Sequence, residues 1–324
     1  MTNDVRYAGE FNMNLDDNTT WNESSWLSFA IPERKINGFV YYFFRPNMNC
    51  LNGGVAMWDL TGEYTWDCLF WDWQFMRELP PGEYGVDYNK YDFKAPWSLS
   101  CETVEPLQKY RFGYDLKGCK LDLLFEGVAE PHPMASGEEG QLNRSQRFHF
   151  EQPGTMKGTI ELEGEKYEVD CYSIRDGSHG PRTWDEVPAG GYTWSTASDK
   201  SAFHLIAVDD KDSHETKILG GYYMKDGILA SLVSGVRRVV QRKGPMPTIV
   251  EVEATDAMGR KLEAIGRITV PALFHYYSYQ VQWFSQFVWD YDGHVGAIGE
   301  DQEYYPVAAM RSWMRSPPGM WKTR

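Results

Sequence analysis

The segment TIELEGEKYEVDCYSIR, residues 159–175, decides the fold. Ile160 and Leu162, then Tyr167, Val169 and Cys171, fall on one face at a spacing of two, the period of a half-buried strand rather than of a helix. Glu163-Gly164-Glu165 interrupts the alternation, so the segment reads as a hairpin with its turn at that point. Outward from it the same signals recur. GFVYYFFRP (38–46) is aromatic and β-branched and stops at Pro46. Lys117-Gly118, Lys225-Asp226-Gly227 and Asp256-Ala257-Met258-Gly259 read as further hairpin turns, the last flanked by IVEVEAT and LEAIGRITV. Helical periodicity is nearly absent, and a short helix after Pro306, with Val307, Met310 and Met314, is the best candidate. Short strands at regular spacing predict an all-β sandwich or barrel architecture.

A weak internal repeat suggests two such units. GGVAMWD (53–59) and GGYYMKD (220–226) share G-G-x-x-M-x-D, and DLKGCKLD (115–122) and DAMGRKLE (256–263) share D-x-x-G-x-K-L-acid. The matches occur in the same order, 167 residues apart for the first pair and 141 for the second. The first half therefore carries extra residues between its two matches, assigned to about 68–100, where long insertions commonly form lids or binding loops. EPHPMASGEEGQLN (130–143), rich in Pro, Gly and Glu, reads as the boundary. The expected domains are 1–150 and 151–324.

The 324 residues include 13 Trp, 20 Tyr and 16 Phe, enough for β-rich cores or an aromatic-lined cavity. A net charge of −14 with no basic stripe argues against nucleic acid as a partner. The five cysteines form no C-x-x-C pair, MTNDVRYAGEFNMNLDD lacks an apolar signal-peptide core, and no apolar run approaches a membrane span. Reduced thiols in a cytoplasmic protein are the expectation. No phosphate-cradling glycine loop opens a helix, and the seven histidines show no ligand spacing, so neither cofactor nor metal is expected. DGSHG does not meet the G-x-S-x-G pattern of a hydrolase nucleophile.

The hairpin continues as YSIRDGSHGPRTW (172–184), placing Arg175, Asp176, His179, Arg182 and Trp184 among Gly177, Gly180 and Pro181. The structural reading is a solvated Arg–Asp pair at a strand end. The functional reading is a loop at a barrel mouth whose glycines turn polar groups inward.

HFEQPGTMKGTIELEGEKYEVDCYSIRDGSHGPRTW (149–184) resembles the central segment of the AttH-like superfamily, which includes the carotenoid hydratases; tocopherol cyclase and fungal lipocalin-like Diels–Alderases are similar more distantly. The pattern is an E-Q pair, then G-x-I-x-x-x-G, then R-D-H-S-W-G-x-R. Glu151-Gln152, Gly158, Ile160, Gly164, Arg175-Asp176, Ser178, Gly180 and Arg182 fit it. WNESSWLSF (21–29), VAMWD (55–59) and GAIGEDQEYYP (296–306) match more loosely. The chain departs at Gly177, where the pattern has His, and at His179, where it has Trp. The resemblance implies two lipocalin-like antiparallel β-barrels with few short helices, and cofactor-independent chemistry on a lipophilic small molecule: hydration, elimination, isomerisation or cyclisation.

Asp176 is the matched candidate for a catalytic acid, since an apolar pocket raises a carboxyl pKa, while Arg175 and Arg182 pull the other way. His179 is the alternative proton donor. Arg175, Arg182, Trp184, Gln152, Trp58 and His275 are candidate substrate-binding residues. For Trp58 the competing reading is packing, and for His275, in LFHYYSYQVQWF, a core position sharing a face with Tyr277 and Tyr279. Trp71 and Trp73 line a lid or bury the insertion; Glu300 and Glu303 belong to a pocket mouth or a solvated loop. A non-catalytic carrier of a lipophilic ligand is the alternative function. The sequence leaves the oligomeric state open.

Overall fold

The computed structural model describes residues 18–78, 86–87, 92–134, 148–182, 189–209, 216–277, 280–308 and 315. Its strands form two antiparallel sheets. The first contains β1 (Trp21–Ile31), β2 (Ile36–Arg45), β3 (Cys50–Trp58), β4 (Phe70–Glu78), β5 (Val86–Asp87), β6 (Asp92–Lys94), β7 (Ser100–Glu105), β8 (Lys109–Leu116), β9 (Cys119–Gly127), β10 (His132–Pro133), β11 (Phe148–Leu162) and β12 (Glu165–Pro181). Their order is β4-β3-β2-β1-β12-β11-β9-β8-β7-β6-β5, with β10 on β11. The second contains β13 (Gly190–Ser198), β14 (Ser201–Asp209), β15 (Thr216–Lys225), β16 (Ile228–Lys243), β17 (Met246–Asp256), β18 (Lys261–Val270), β19 (Leu273–Tyr277), β20 (Gln280–Tyr291) and β21 (His294–Pro306). Pairing of β18 with β20 closes eight of these strands into a barrel. The first sheet is a curled half-barrel, with no β4–β5 pairing among the described residues. The all-β, lipocalin-like expectation holds, and among the described residues only the second sheet closes.

The predicted turns form as their residues require. Lys117-Gly118, Glu163-Gly164 and Asp226-Gly227 all have positive φ at both positions, which two-residue hairpin loops of this hand demand. Asp256 caps its own turn, its Oδ1 accepting from the Met258 and Arg260 backbone N–H groups at 2.9 and 2.8 Å. Val307 and Ala308 are helical; Met310 and Met314 lie outside the described residues. The repeat maps as read: its first element falls in β3 and β15, its second on the β8–β9 and β17–β18 turns. The insertion at 68–100 supplies β4 to β6 of the first sheet.

The two compact units do not part where the sequence suggested. The 130–143 stretch, whose residues from 135 on lie outside the described ones, precedes β11. Both β11 and β12 are hydrogen-bonded into the first sheet, β11 to β9 and β12 to β1, and the first unit runs to Arg182. Polarity marked a loop there, but long-range pairing decides sheet membership. Asp59–Asp67 belong to the second unit, where Tyr64 bridges to Leu273.

Burial along β12 changes character partway. From Glu165 to Cys171 only alternate residues are buried; from Ser173 to Ser178 both faces are buried apart from the partly exposed Asp176. One face, the core face, packs Tyr42, Phe44, Phe93, Tyr110 and Phe112, with Phe93 4.6 Å from Tyr42 and 5.2 Å from Phe44 by ring centroids. The other carries Asp176 and is called the acid face below. β2 is buried on both faces, as its continuous aromatic run requires. In the second unit the inward face packs Phe203, Leu205, Tyr223, Val252, Phe287 and Trp289. The same inward face also buries Arg237 and Asp301.

Candidate active site

Residues 172–181 are not a loop. β12 continues to Pro181, paired with β11 on one side and β1 on the other, and Gly180, at φ 139°, is accommodated within the strand. A strand places residues three apart on opposite faces. Asp176 and His179, expected to act together, therefore point away from each other. His179 lies on the core face, stacked between Trp21 at 5.8 Å and Phe148 at 5.3 Å.

The imidazole beside Asp176 is His149. The hairpin sets Glu151 opposite Asp176 and His149 opposite Ser178, so all four side chains share the acid face. His149 Nε2 lies 2.9 Å from Glu151 Oε1 and 3.8 Å from Asp176 Oδ2. Asp176 is anchored to β1: its Oδ1 accepts from the Trp26 backbone N–H at 2.7 Å, and its carbonyl accepts from Ser25 Oγ at 2.5 Å. Arg182 joins this face, its Nη2 donating at 2.5 Å to Ser178 Oγ, which lies 3.0 Å from Ser24 Oγ.

Two opposing influences on Asp176, left open by sequence, resolve here. Burial, reinforced by the Glu151 carboxylate, pushes its pKa up to about 7, against His149, the Trp26 N–H and Arg182. Burial lowers His149 to about 4, so this imidazole is neutral near pH 7. His132, opposite Glu151 on β10, is likewise lowered to about 4 by burial. The site thus presents a carboxyl poised to exchange a proton near neutrality. The ligand atoms of His149, Glu151 and Asp176 also lie within 4.8 Å of one another, one imidazole and two carboxylates that suit a divalent cation. Sequence spacing could not show this set, because its members sit on two strands.

The other candidates divide. Arg175 lies on the core face, 1% exposed, its guanidinium 4.0 Å from the Tyr110 ring centre and 4.6 Å from that of Phe150. Gln152 shares that face, accepting from Arg175 Nε at 3.2 Å and donating to the Leu107 and Ala129 carbonyls at 2.7 and 2.9 Å. These two fasten the core rather than join the Asp176 cluster. Trp58 is on the acid face, fully buried, edge-on to Phe39 at 5.9 Å. His275 is exposed on β19 of the second unit. Trp184 lies outside the described residues. In the second unit Glu303 turns inward onto Arg242, and Glu300 faces the opposite way and accepts from Gln302. Among the described residues no helix is long and apolar enough to cross a membrane.

The fold is one shared with solved lipocalin-like structures. The fold matches that of a candidate AttH from Nitrosomonas europaea, at 15% identity, over 87% of this chain and 91% of that one, with a TM-score of 0.55. It also matches kievitone hydratase from Nectria haematococca, at 10% identity over 93% and 94% (TM-score 0.55), and CghA, at 10% over 91% and 93% (TM-score 0.54). No curated protein sequence matches the chain. The chain belongs to the family described as a domain of unknown function, DUF7064, whose profile matches residues 8–298.

Proposed function

We propose that the protein is a cofactor-independent acid–base enzyme acting on a lipophilic small molecule held against the acid face, with Asp176 as its proton donor. The observation that carries this reading is the carboxyl pair itself: Asp176 stands directly opposite Glu151, in a buried environment that keeps it protonated up to about pH 7. In the donating step the Asp176 O–H bond breaks and a C–H bond forms on an alkene carbon, leaving Asp176 as carboxylate and a cation on the ligand. Capture of that cation by water, which then loses a proton, completes a hydration; loss of a neighbouring proton completes an isomerisation; attack by an internal alkene, followed by loss of a proton from the new cation, completes a cyclisation. Glu151 and His149 are the adjacent groups able to accept the released proton. The name of one structural neighbour, kievitone hydratase, supports the first of these outcomes.

The test begins with native mass spectrometry of freshly purified protein to identify a co-purifying apolar ligand. That ligand is then incubated with the enzyme in D2O. An acid–base enzyme introduces solvent deuterium into the ligand or its product, and Asp176→Asn abolishes the labelling. A carrier returns the ligand unlabelled, with or without Asp176.

A second reading rests on the same three residues as ligands of a divalent cation. Stoichiometric metal retained by wild-type protein after dialysis and lost in His149→Ala would favour it over the proton-donor role.

A further inference from the structure

Asp176 belongs to a row that crosses six strands. Glu151 on β11 stands opposite Asp176 on β12, Asp176 opposite Trp26 on β1, and Trp26 opposite Tyr41 on β2. Tyr41 in turn stands opposite Gly54 on β3, and Gly54 opposite Trp73 on β4. Directly opposed residues in antiparallel strands project to the same face. The row therefore reads carboxyl, carboxyl, indole, phenol, gap, indole. At the gap Gly54 has no side chain, and the Tyr41 and Trp73 rings meet across it, stacked with centroids 5.6 Å apart. Trp71 and Phe39 flank Trp73 at 5.9 and 6.5 Å. A strand spacing of ~4.8 Å sets Tyr41 roughly 10 Å and Trp73 roughly 19 Å from Asp176 along the sheet. Exposure is graded towards the far end: Trp26 and Tyr41 are buried, whereas Trp71 and Trp73 are half-buried.

We infer that this row is a length gauge for the ligand, with Tyr41 and Trp73 as specificity-determining residues for a flat aryl or fused-ring skeleton lying across the strands. The reacting or hydroxyl-bearing end sits at Asp176 and the distal ring at the Tyr41–Trp73 pair. A flat unsaturated skeleton fits because a row of indole and phenol rings, already stacked on one another at Tyr41, Trp73 and Trp71, favours edge or face contact with a further aromatic ring over contact with a saturated chain. A hydroxyl fits the near end because it hydrogen-bonds to a carboxyl in either protonation state, whereas an anionic end meets two carboxyl groups. The inference rests on the acid–base reading only for which end reacts.

The experiment measures binding of phenol, 4-phenylphenol and para-terphenyl-4-ol to the full chain by equilibrium dialysis, a readout independent of turnover. In wild-type protein affinity rises along the series. Trp73→Leu keeps apolar bulk but removes the ring; it weakens the terphenyl probe about tenfold and leaves the two shorter probes within about twofold. Trp73→Phe restores most of the loss. Asp176→Ala weakens all three probes by the same factor. The gauge is overturned if Trp73→Leu lowers affinity for all three alike or for none, or if Asp176→Ala affects none of them. Deuterium labelling that persists in Asp176→Asn would instead sink the acid–base reading while leaving the length series to decide the gauge.

Discussion

Two buried charged clusters, one in each unit, show how the same low dielectric yields opposite results. Inside the closed barrel, Arg237 holds Asp301 through two bonds, Nε to Oδ1 at 2.8 Å and Nη2 to Oδ2 at 2.5 Å, and Thr193 Oγ1 adds a third at 2.7 Å. Arg242 holds Glu303 through bonds of 2.6 and 2.7 Å. Burial alone would raise Glu303, yet Arg242 and Arg237 outweigh it and hold its carboxyl below the usual range. On the acid face two carboxyls oppose each other beside a neutral imidazole, with Arg182 engaged on Ser178. There burial and like charge win, and Asp176 rises to about 7. Carboxyls matched with cations are held ionised, whereas a buried carboxyl opposite another carboxyl keeps its proton to higher pH.

The sharpest way to break this contrast is to remove one partner from each cluster. Arg237→Met leaves Asp301 buried without its cation and is expected to cost ~3–5 kcal/mol of stability by chemical denaturation. A loss below about 1 kcal/mol would show the barrel cluster to be as tolerant as the acid face. Asp176→Asn is expected to do the reverse. Label uptake or turnover falls by roughly 10²-fold or more, as for loss of general acid catalysis, while the melting temperature near pH 6 stays within a few degrees of wild type.

Titration sharpens the comparison. The folded-state pKa of Asp176, about 7, lies above its ordinary value of 3.8, so the folded protein keeps a proton that the unfolded chain has released. Its contribution to stability is present below about pH 4 and is lost as pH rises towards 7. His149, at about 4 against 6.5, has the opposite sign: the unfolded chain binds the proton first, so its contribution grows from about pH 4 to 6.5. Compared with wild type, Asp176→Asn should become relatively more stable with rising pH across this window and His149→Gln relatively less stable, as followed by denaturation at a series of pH values. Parallel curves would show that neither group titrates as assigned.

The smallest expected effect concerns the two faces of β12. His179→Asn removes a ring stacked between Trp21 and Phe148 and should cost ~0.5–1.5 kcal/mol. Label uptake should stay within about twofold of wild type. A hundredfold loss of activity in this variant would return His179 to the catalytic role that its side of the strand argues against.

The hairpin around Asp176 was legible in sequence because it follows from local rules, whereas Asp176 itself was singled out by the motif resemblance. The turn at Glu163-Gly164 also fixed the register: counting outward from Leu162 and Glu165 brings Glu151 opposite Asp176 and His149 opposite Ser178. His149 could have been found by that count, and was hidden among scattered histidines only because spacing along the chain was the criterion. His179 was misplaced for a related reason. Its glycines suggested a loop, but flanking strands satisfied the backbone on both sides and imposed strand alternation.

Hydrophobic period, turn chemistry and aromatic content determined by themselves that the chain is all-β and where its hairpins turn; each depends on neighbours a few residues apart. Only tertiary structure decided that β12 pairs with β1, some 150 positions earlier in the chain, that one sheet closes into a barrel while the other curls as a half-barrel, and that Trp26, Tyr41 and Trp73 line up with Asp176. It also decided the protonation of Asp176, since burial and the charge opposite it depend on which strands meet, and pairing between distant strands leaves no period in the sequence to read.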